Sequence, residues 1–326
     1  MPGKIFCAIF ILLSSAILTA CGGGNGETTT PVLDDSGTTS VASQNPVEAN
    51  NGTKGSRDNT IVCMTPEAPG TATISDDTIT IDISNASDGY ICATYTGDAS
   101  RTRIIITTPS DVAYSYDLTT NVCDTFPLTE GAGSYNVGVY ELISGNDYSI
   151  LLNEDFSIDN IDEFSPYLYP NQYVKFDQNS SAVKLASELV SSANNDIDAI
   201  SLVYNYVISH IEYDHAKAEN VESTYVPDID QILSSGKGIC FDYASLMAAM
   251  LRSQGIPTRL EIGYAGDAYH AWVSTYIKDV GWVNGMVKFD GTSWEIMDPT
   301  FAANMSEDNL KSFIGEGDNY ITKFVY

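Results

Sequence analysis

Cys240 lies in the segment Gly236-Lys237-Gly238-Ile239-Cys240-Phe241-Asp242-Tyr243-Ala244. The two glycines allow an unusual backbone path ahead of an apolar helical run over 239–254, and they set the cysteine in that helix's first turn. There the unpaired N–H groups and the positive end of the dipole favour an anion, as a thiolate nucleophile needs. The same N–H groups can stabilise an oxyanion on a substrate carbonyl. A cysteine nucleophile also needs a base to share and return its proton. The chain has three histidines, and His270, thirty residues after Cys240, opens a strand next to Trp272. Twenty-eight residues further on, Asp298 ends a strand and would orient the imidazole and stabilise its charged form.

These three residues must be carried by a helix start, a strand start and a strand end that converge at one edge of a sheet. The elements are legible from period. Ala182-Val183, Ala186 and Leu189-Val190 fall on one helical face, and 197–211 repeats the spacing over a longer helix. A polar loop is expected to about residue 228. After the 239–254 helix, strands are expected at 258–264, 271–277, 281–289 and 294–297. Helices packed on an antiparallel sheet make this half an α+β fold. Ahead of it, short alternating strands at 78–83, 90–95, 103–107, 113–118, 133–141 and 148–152 predict an all-β, immunoglobulin-like sandwich. No cluster of its residues looks chemical.

Other residues near the site have structural roles. Asp242 sits in the first helical turn, where a carboxylate complements the dipole and caps the helix, although its charge opposes a neighbouring thiolate. His210 and His215 are expected at a helix end and on the surface. Read alone, Cys240 could be an inert buried residue, His270 a structural histidine and Asp298 the start of a turn.

Four blocks decide for chemistry: Gly238-Ile239-Cys240-Phe241-Asp242-Tyr243-Ala244, Leu251-Arg252-Ser253-Gln254-Gly255-Ile256-Pro257, His270-Ala271-Trp272 and Asp298-Pro299-Thr300. In order and approximate spacing they resemble the transglutaminase-like superfamily, over roughly 185–301. The resemblance implies a papain-like core and a Cys240-His270-Asp298 triad. It implies acyl chemistry on amides, whether protein crosslinking, deamidation or peptide hydrolysis. Tyr213 falls where relatives carry an aromatic near the site and is a candidate oxyanion donor, with Trp272 lining the site. No cofactor is expected. Animal relatives use calcium, but no acidic run here matches an EF-hand loop.

The chain has 326 residues, enough for two domains, and 43 acidic against 15 basic residues give a formal charge of −28. Such a surface repels phosphate backbones, so no nucleic-acid partner is expected. Residues 1–20 read as a signal peptide, with Lys4 ahead of a short apolar run that closes on Leu18-Thr19-Ala20-Cys21, similar to a bacterial lipoprotein signal. The expected organisation is therefore signal peptide 1–20, disordered tether 21–58, β-sandwich 59–165 and transglutaminase-like domain 166–326. The chain would be exported and held at a bacterial membrane or cell surface through lipidated Cys21, with extracellular or cell-wall peptides and proteins as substrates. The alternative is a binding or assembly module that keeps the fold without the chemistry. With Cys240 as nucleophile, Cys63, Cys92 and Cys123 allow at most one disulfide, in any of three pairings.

Overall fold

A computed structural model of the chain describes residues 54–284, 287–289, 294–296 and 320–326. The first part is built of β1 (Thr73–Ser75), β2 (Ile79–Asp82), β3 (Tyr90–Tyr95), β4 (Thr102–Thr107), β5 (Ala113–Asp117), β6 (Cys123–Pro127), β7 (Gly133–Ser144) and β8 (Asp147–Ile158). They pair antiparallel into two four-stranded sheets, in the orders β1-β2-β3-β6 and β5-β4-β7-β8. Alternation sets which face is buried: in β4, Thr102, Ile104 and Ile106 turn inward while Arg103, Ile105 and Thr107 stay partly exposed. Ile81, Ile91 and Tyr95 of one sheet share a core with Ile104, Val137 and Val139 of the other. The Tyr116 and Phe126 rings meet between the sheets, 4.7 Å apart. β1 and β6 escape a periodicity search because they are short and largely polar, and backbone pairing with β2 and β3 makes them strands.

The second part runs α1 (Ser181–Leu189), α2 (Asp196–His210), β9 (Glu212–Tyr213), α3 (His215–Asn220), α4 (Ile229–Ser235), β10 (Lys237–Gly238) and α5 (Cys240–Arg252). It continues with β11 (Thr258–Ala265), β12 (Ala268–Ile277), β13 (Gly281–Asn284), β14 (Val287–Phe289), β15 (Trp294–Ile296) and β16 (Tyr320–Val325). The main sheet is antiparallel in the order β13-β12-β11-β16, with β14-β15 a separate pair. Every residue of α5 is buried, because α1, α2 and α4 cover one side of it and β11 and β12 the other. Helices therefore pack on an antiparallel sheet. The expected polar loop up to 228 instead contains α3, too short to show a helical period but started by Asp214, whose side chain accepts the Lys217 N–H at 2.9 Å.

Arg252 explains why a cation ends so apolar a helix. Its side chain is fully buried and donates to three backbone carbonyls: Nε to Thr258 (2.8 Å), Nη1 to Tyr169 (2.9 Å) and Nη2 to Tyr326 (2.7 Å). Burial pulls its pKa down to about 9, which leaves it charged at neutral pH. It ties the helix end to β11, to the connection from the β-rich part and to the residue after β16. Arg252→Met would remove three charge-assisted bonds at once, although Tyr326 O keeps the Leu260 N–H (2.9 Å), and urea unfolding should show a loss of about 3 kcal/mol or more. An unchanged midpoint would refute this role.

Residues 54–62 lie as a strap along the helices rather than in the β-rich part. Gly55 N–H donates to Ser191 O (3.0 Å), Arg57 N–H to Ala193 O (3.1 Å) and Val62 N–H to Ser253 O (2.7 Å). Arg57 pairs with Asp196 at 2.7 Å and donates to Gln254 O at 2.7 Å. The last residues expected in the tether, 55–58, thus form part of the fold.

Candidate active site

The two glycines before Cys240 do different work. Gly236 ends α4 in the left-handed region, φ 64°, and its N–H closes on Ile232 O. Gly238 has an extended role: a Cβ there would lie 2.6 Å from Asp242 Cβ, so only glycine lets the chain pass so close to the first turn of α5. Between them the backbone pairs with β9 in parallel, Glu212 N–H to Gly236 O (2.8 Å) and Asp214 N–H to Gly238 O (2.9 Å). This bridge sets Tyr213 opposite Gly238, two residues ahead of Cys240.

Cys240 is buried at the first position of α5. The first bond within the helix runs from Tyr243 N–H to Ile239 O (3.0 Å), so the N–H groups of Cys240, Phe241 and Asp242 precede it and can serve as donors to an anion. Asp242 does not consume them: its Oδ2 reaches back to Ile239 N–H at 2.8 Å. The same carboxylate, wholly buried, takes Lys217 Nζ on Oδ2 (2.6 Å) and the Tyr225 hydroxyl on Oδ1 (2.5 Å), with Nζ 4.0 Å from the Tyr225 ring centroid. Burial and the Asp242 carboxylate hold the Tyr225 phenol well above its ordinary pKa, so it stays a donor. The cation offsets the negative charge that would otherwise lie two residues from the thiol. An open recess of about 450 Å³ adjoins this group between α3 and the 221–226 segment, with Lys217, Tyr225, Val221 and Val226 on its walls.

Lys217 and Tyr225 were not singled out from sequence, since neither has a motif and their partner lies more than fifteen residues away. Lys217→Met would leave a buried carboxylate with two neutral donors. Lys217 is 27% exposed, which lowers the cost below that of a wholly buried pair. Urea unfolding should show a loss of about 2–3 kcal/mol, with Lys217→Arg losing less. If Lys217→Met unfolds at the wild-type midpoint, the pair contributes nothing.

β12 brings the histidine. His270 is buried, and its partner across the ladder is Gly263, so no β11 side chain stands directly opposite the imidazole. Glycine is needed there for a second reason, because a Cβ on Gly263 would lie 2.0 Å from Ile321 O on β16. Alternation puts Trp272 on the same face as His270, rings 6.3 Å apart, and Tyr320 packs edge-on against Trp272 at 5.0 Å. Tyr269, on the other face with Ala271 and Val273, has its phenol pushed up to about 12, by burial first and then by the neighbouring Tyr264 and Cys240. That proximity sets the start of β12 at the thiol end of α5. Asp298 lies outside the described residues. His210 ends α2, stacked on Tyr206 at 4.0 Å, and His215 starts α3, its ring edge-on to Tyr213 at 5.0 Å; both are exposed.

A run of rings links this region to the β-rich part. Phe241, next to Cys240, meets Tyr173 at 5.3 Å, and Tyr173 meets Tyr116 of β5 at 5.5 Å. The Tyr173 carbonyl accepts Ser245 Oγ from α5 at 2.6 Å, and Gln172 Nε2 donates to Asp117 O at 2.7 Å.

Residues 183–285 match the family model of the transglutaminase-like superfamily and form a domain of that kind. Protein YebA of Bacillus subtilis is 27% identical over 198 residues, covering 52% of this chain and 26% of that protein. The human kyphoscoliosis peptidase is 28% identical over 122 residues, 32% of this chain and 18% of the relative. The chain therefore spans about a quarter or less of these relatives' lengths. The periplasmic domain of TgpA from Pseudomonas aeruginosa, a solved structure, aligns over 62% of this chain and 88% of its own at 16% identity, with a TM-score of 0.32. That likeness is too loose to carry a residue-by-residue comparison.

Proposed function

We propose that this protein is an exported cysteine-nucleophile enzyme that acts on peptide or carboxamide bonds through a thioester. The observation that carries the reading is Cys240 at the open first turn of a buried helix, with the N–H groups of that turn unclaimed by the helix and Asp242 satisfied elsewhere. Cys240 Sγ attacks the carbonyl carbon while His270 accepts the thiol proton. The oxyanion is held by first-turn N–H groups and the Tyr213 hydroxyl. Collapse of the adduct expels an amine or ammonia, protonated by His270, and leaves an acyl thioester. Water or an amine then attacks the thioester carbonyl, returning the thiol. Asp298 orients His270, and Trp272 packs beside the imidazole. A superfamily domain and a relative named as a peptidase support acyl chemistry.

The remaining organisation in this reading is a signal peptide over 1–20, lipidation of Cys21, a tether, a β-sandwich and the catalytic part. Substrates would be extracellular proteins or cell-wall peptides. The test is to incubate the purified protein with unfolded protein and with short peptides, with and without a primary amine, and to read products by mass spectrometry. New termini indicate hydrolysis, a glutamine-to-glutamate change indicates deamidation, and an amine adduct indicates transfer. The absence of all three, from substrates that include cell-wall peptides, would favour a binding module that keeps the fold without the chemistry.

A further inference from the structure

Cys92 and Cys123 sit on neighbouring antiparallel strands, β3 and β6. The register pairs Cys92 with Thr125 and Cys123 with Thr94, so the cysteines are diagonal neighbours on one face of the sheet. Cys92 Sγ is 3.6 Å from Thr125 Oγ1, and the Cys92 and Cys123 thiols influence each other's ionisation. On a flat ladder a diagonal of about 7–8 Å is long for a disulfide. Sheet twist shortens one of the two diagonals of such a pair. Cys123 is also the first residue of an edge strand, free to close the remaining distance. The other two described cysteines lie elsewhere: Cys63 next to Asp177, and Cys240 at the start of α5.

We propose that Cys92 and Cys123 form a reversible disulfide across β3 and β6, while Cys63 and Cys240 remain thiols. The two positions are suited to opposite roles. Cys123 is exposed, and the neighbouring Cys92 thiol lowers its pKa to about 6, so it is the attacking thiolate at neutral pH. Cys92 is buried, and its partner and its burial hold its thiol protonated. Cys123 attacks one sulfur of a disulfide-bearing oxidant and releases the other sulfur as a thiolate. Cys92 then gives up its proton and displaces the oxidant's remaining sulfur from Cys123. Two electrons and the Cys92 proton pass from the pair, and the oxidant's two sulfurs are released, one as a thiol and one as a thiolate.

The bond would lock an edge strand that touches the second part of the fold. Thr125 O accepts Gln172 N–H at 3.3 Å, three residues from Val122 and next to Phe126, whose ring packs on Tyr116. Oxidation would therefore stiffen the junction on which the run of rings to Phe241 rests.

The test is to equilibrate the full chain with a mixture of reduced and oxidised glutathione, block free thiols with iodoacetamide and map peptides without reduction. The expected result is a joined Cys92–Cys123 peptide, lighter by two hydrogens than its parts, with Cys63 and Cys240 alkylated. Reduction should lower Tm by about 5–10 °C in the wild type and leave Cys92→Ser/Cys123→Ser unmoved. Cys63→Ser should retain the bond, which guards against loss of the fold in the double variant. Recovery of Cys92 and Cys123 as separately alkylated peptides under oxidising conditions, or a bond from either to Cys63, would overturn the proposal.

Discussion

Cys240→Ala is expected to reduce turnover by about 10⁴–10⁶-fold, because no other atom can carry the acyl group. The variant is a clean probe. Alanine removes only Sγ from a buried helical site and improves helix propensity, so the stability change should stay within about 1 kcal/mol. The bonds around the site involve other atoms: Asp242 to Ile239 N–H, Lys217 to Asp242, and Tyr225 to Asp242. Product formation and thermal unfolding measured side by side would separate chemistry from folding. Lost activity at an unchanged Tm supports the thioester route, whereas activity retained by Cys240→Ala would end it.

His270→Gln should have the next largest effect, a fall of about 10³–10⁵-fold in kcat with KM little changed. Glutamine roughly preserves the volume beside Trp272 but cannot cycle a proton near neutral pH. A merely structural histidine would alter stability without touching the pH profile. The diagnostic is therefore the pH–rate curve, whose limb that depends on a proton-cycling imidazole should vanish in the variant. Rates and profiles equal to wild type would remove His270 from the mechanism. Alkylation of Cys240 offers a second readout that needs no substrate, and it should slow in the variant.

Several features could be read in the chain before any coordinates, for local reasons. α5 shows as a long apolar run between glycines, and most of the larger β strands show as alternation, because period and turn chemistry are written within a few consecutive residues. Three of the four superfamily blocks fall within the domain matched over residues 183–285, and the Asp298 block lies beyond it. What stayed hidden depends on pairing across distance. Lys217 looked like a loop residue until α3 brought it to Asp242, twenty-five positions away. Gly238 and Gly263 owe their identity to atoms of Asp242 and of Ile321, one four positions along the chain and the other on a distant strand. Cysteine pairing required strand register, which three isolated positions cannot supply. β16 was missed because its six residues gain their place by pairing with β11.

The strap over residues 54–62 has a mechanical consequence. Any pull arriving from the residues before it enters the helices at the start of α2, through Arg57 and Asp196, and at the end of α5, through Val62 and Ser253. With 13 residues at 1.5 Å each, that load point is about 20 Å along α5 from Cys240. The β-rich part hangs as a side branch between the strap and the helices it returns to. Force is therefore taken up by the far end of the helix, and the thiol end can keep its geometry while the chain is under tension.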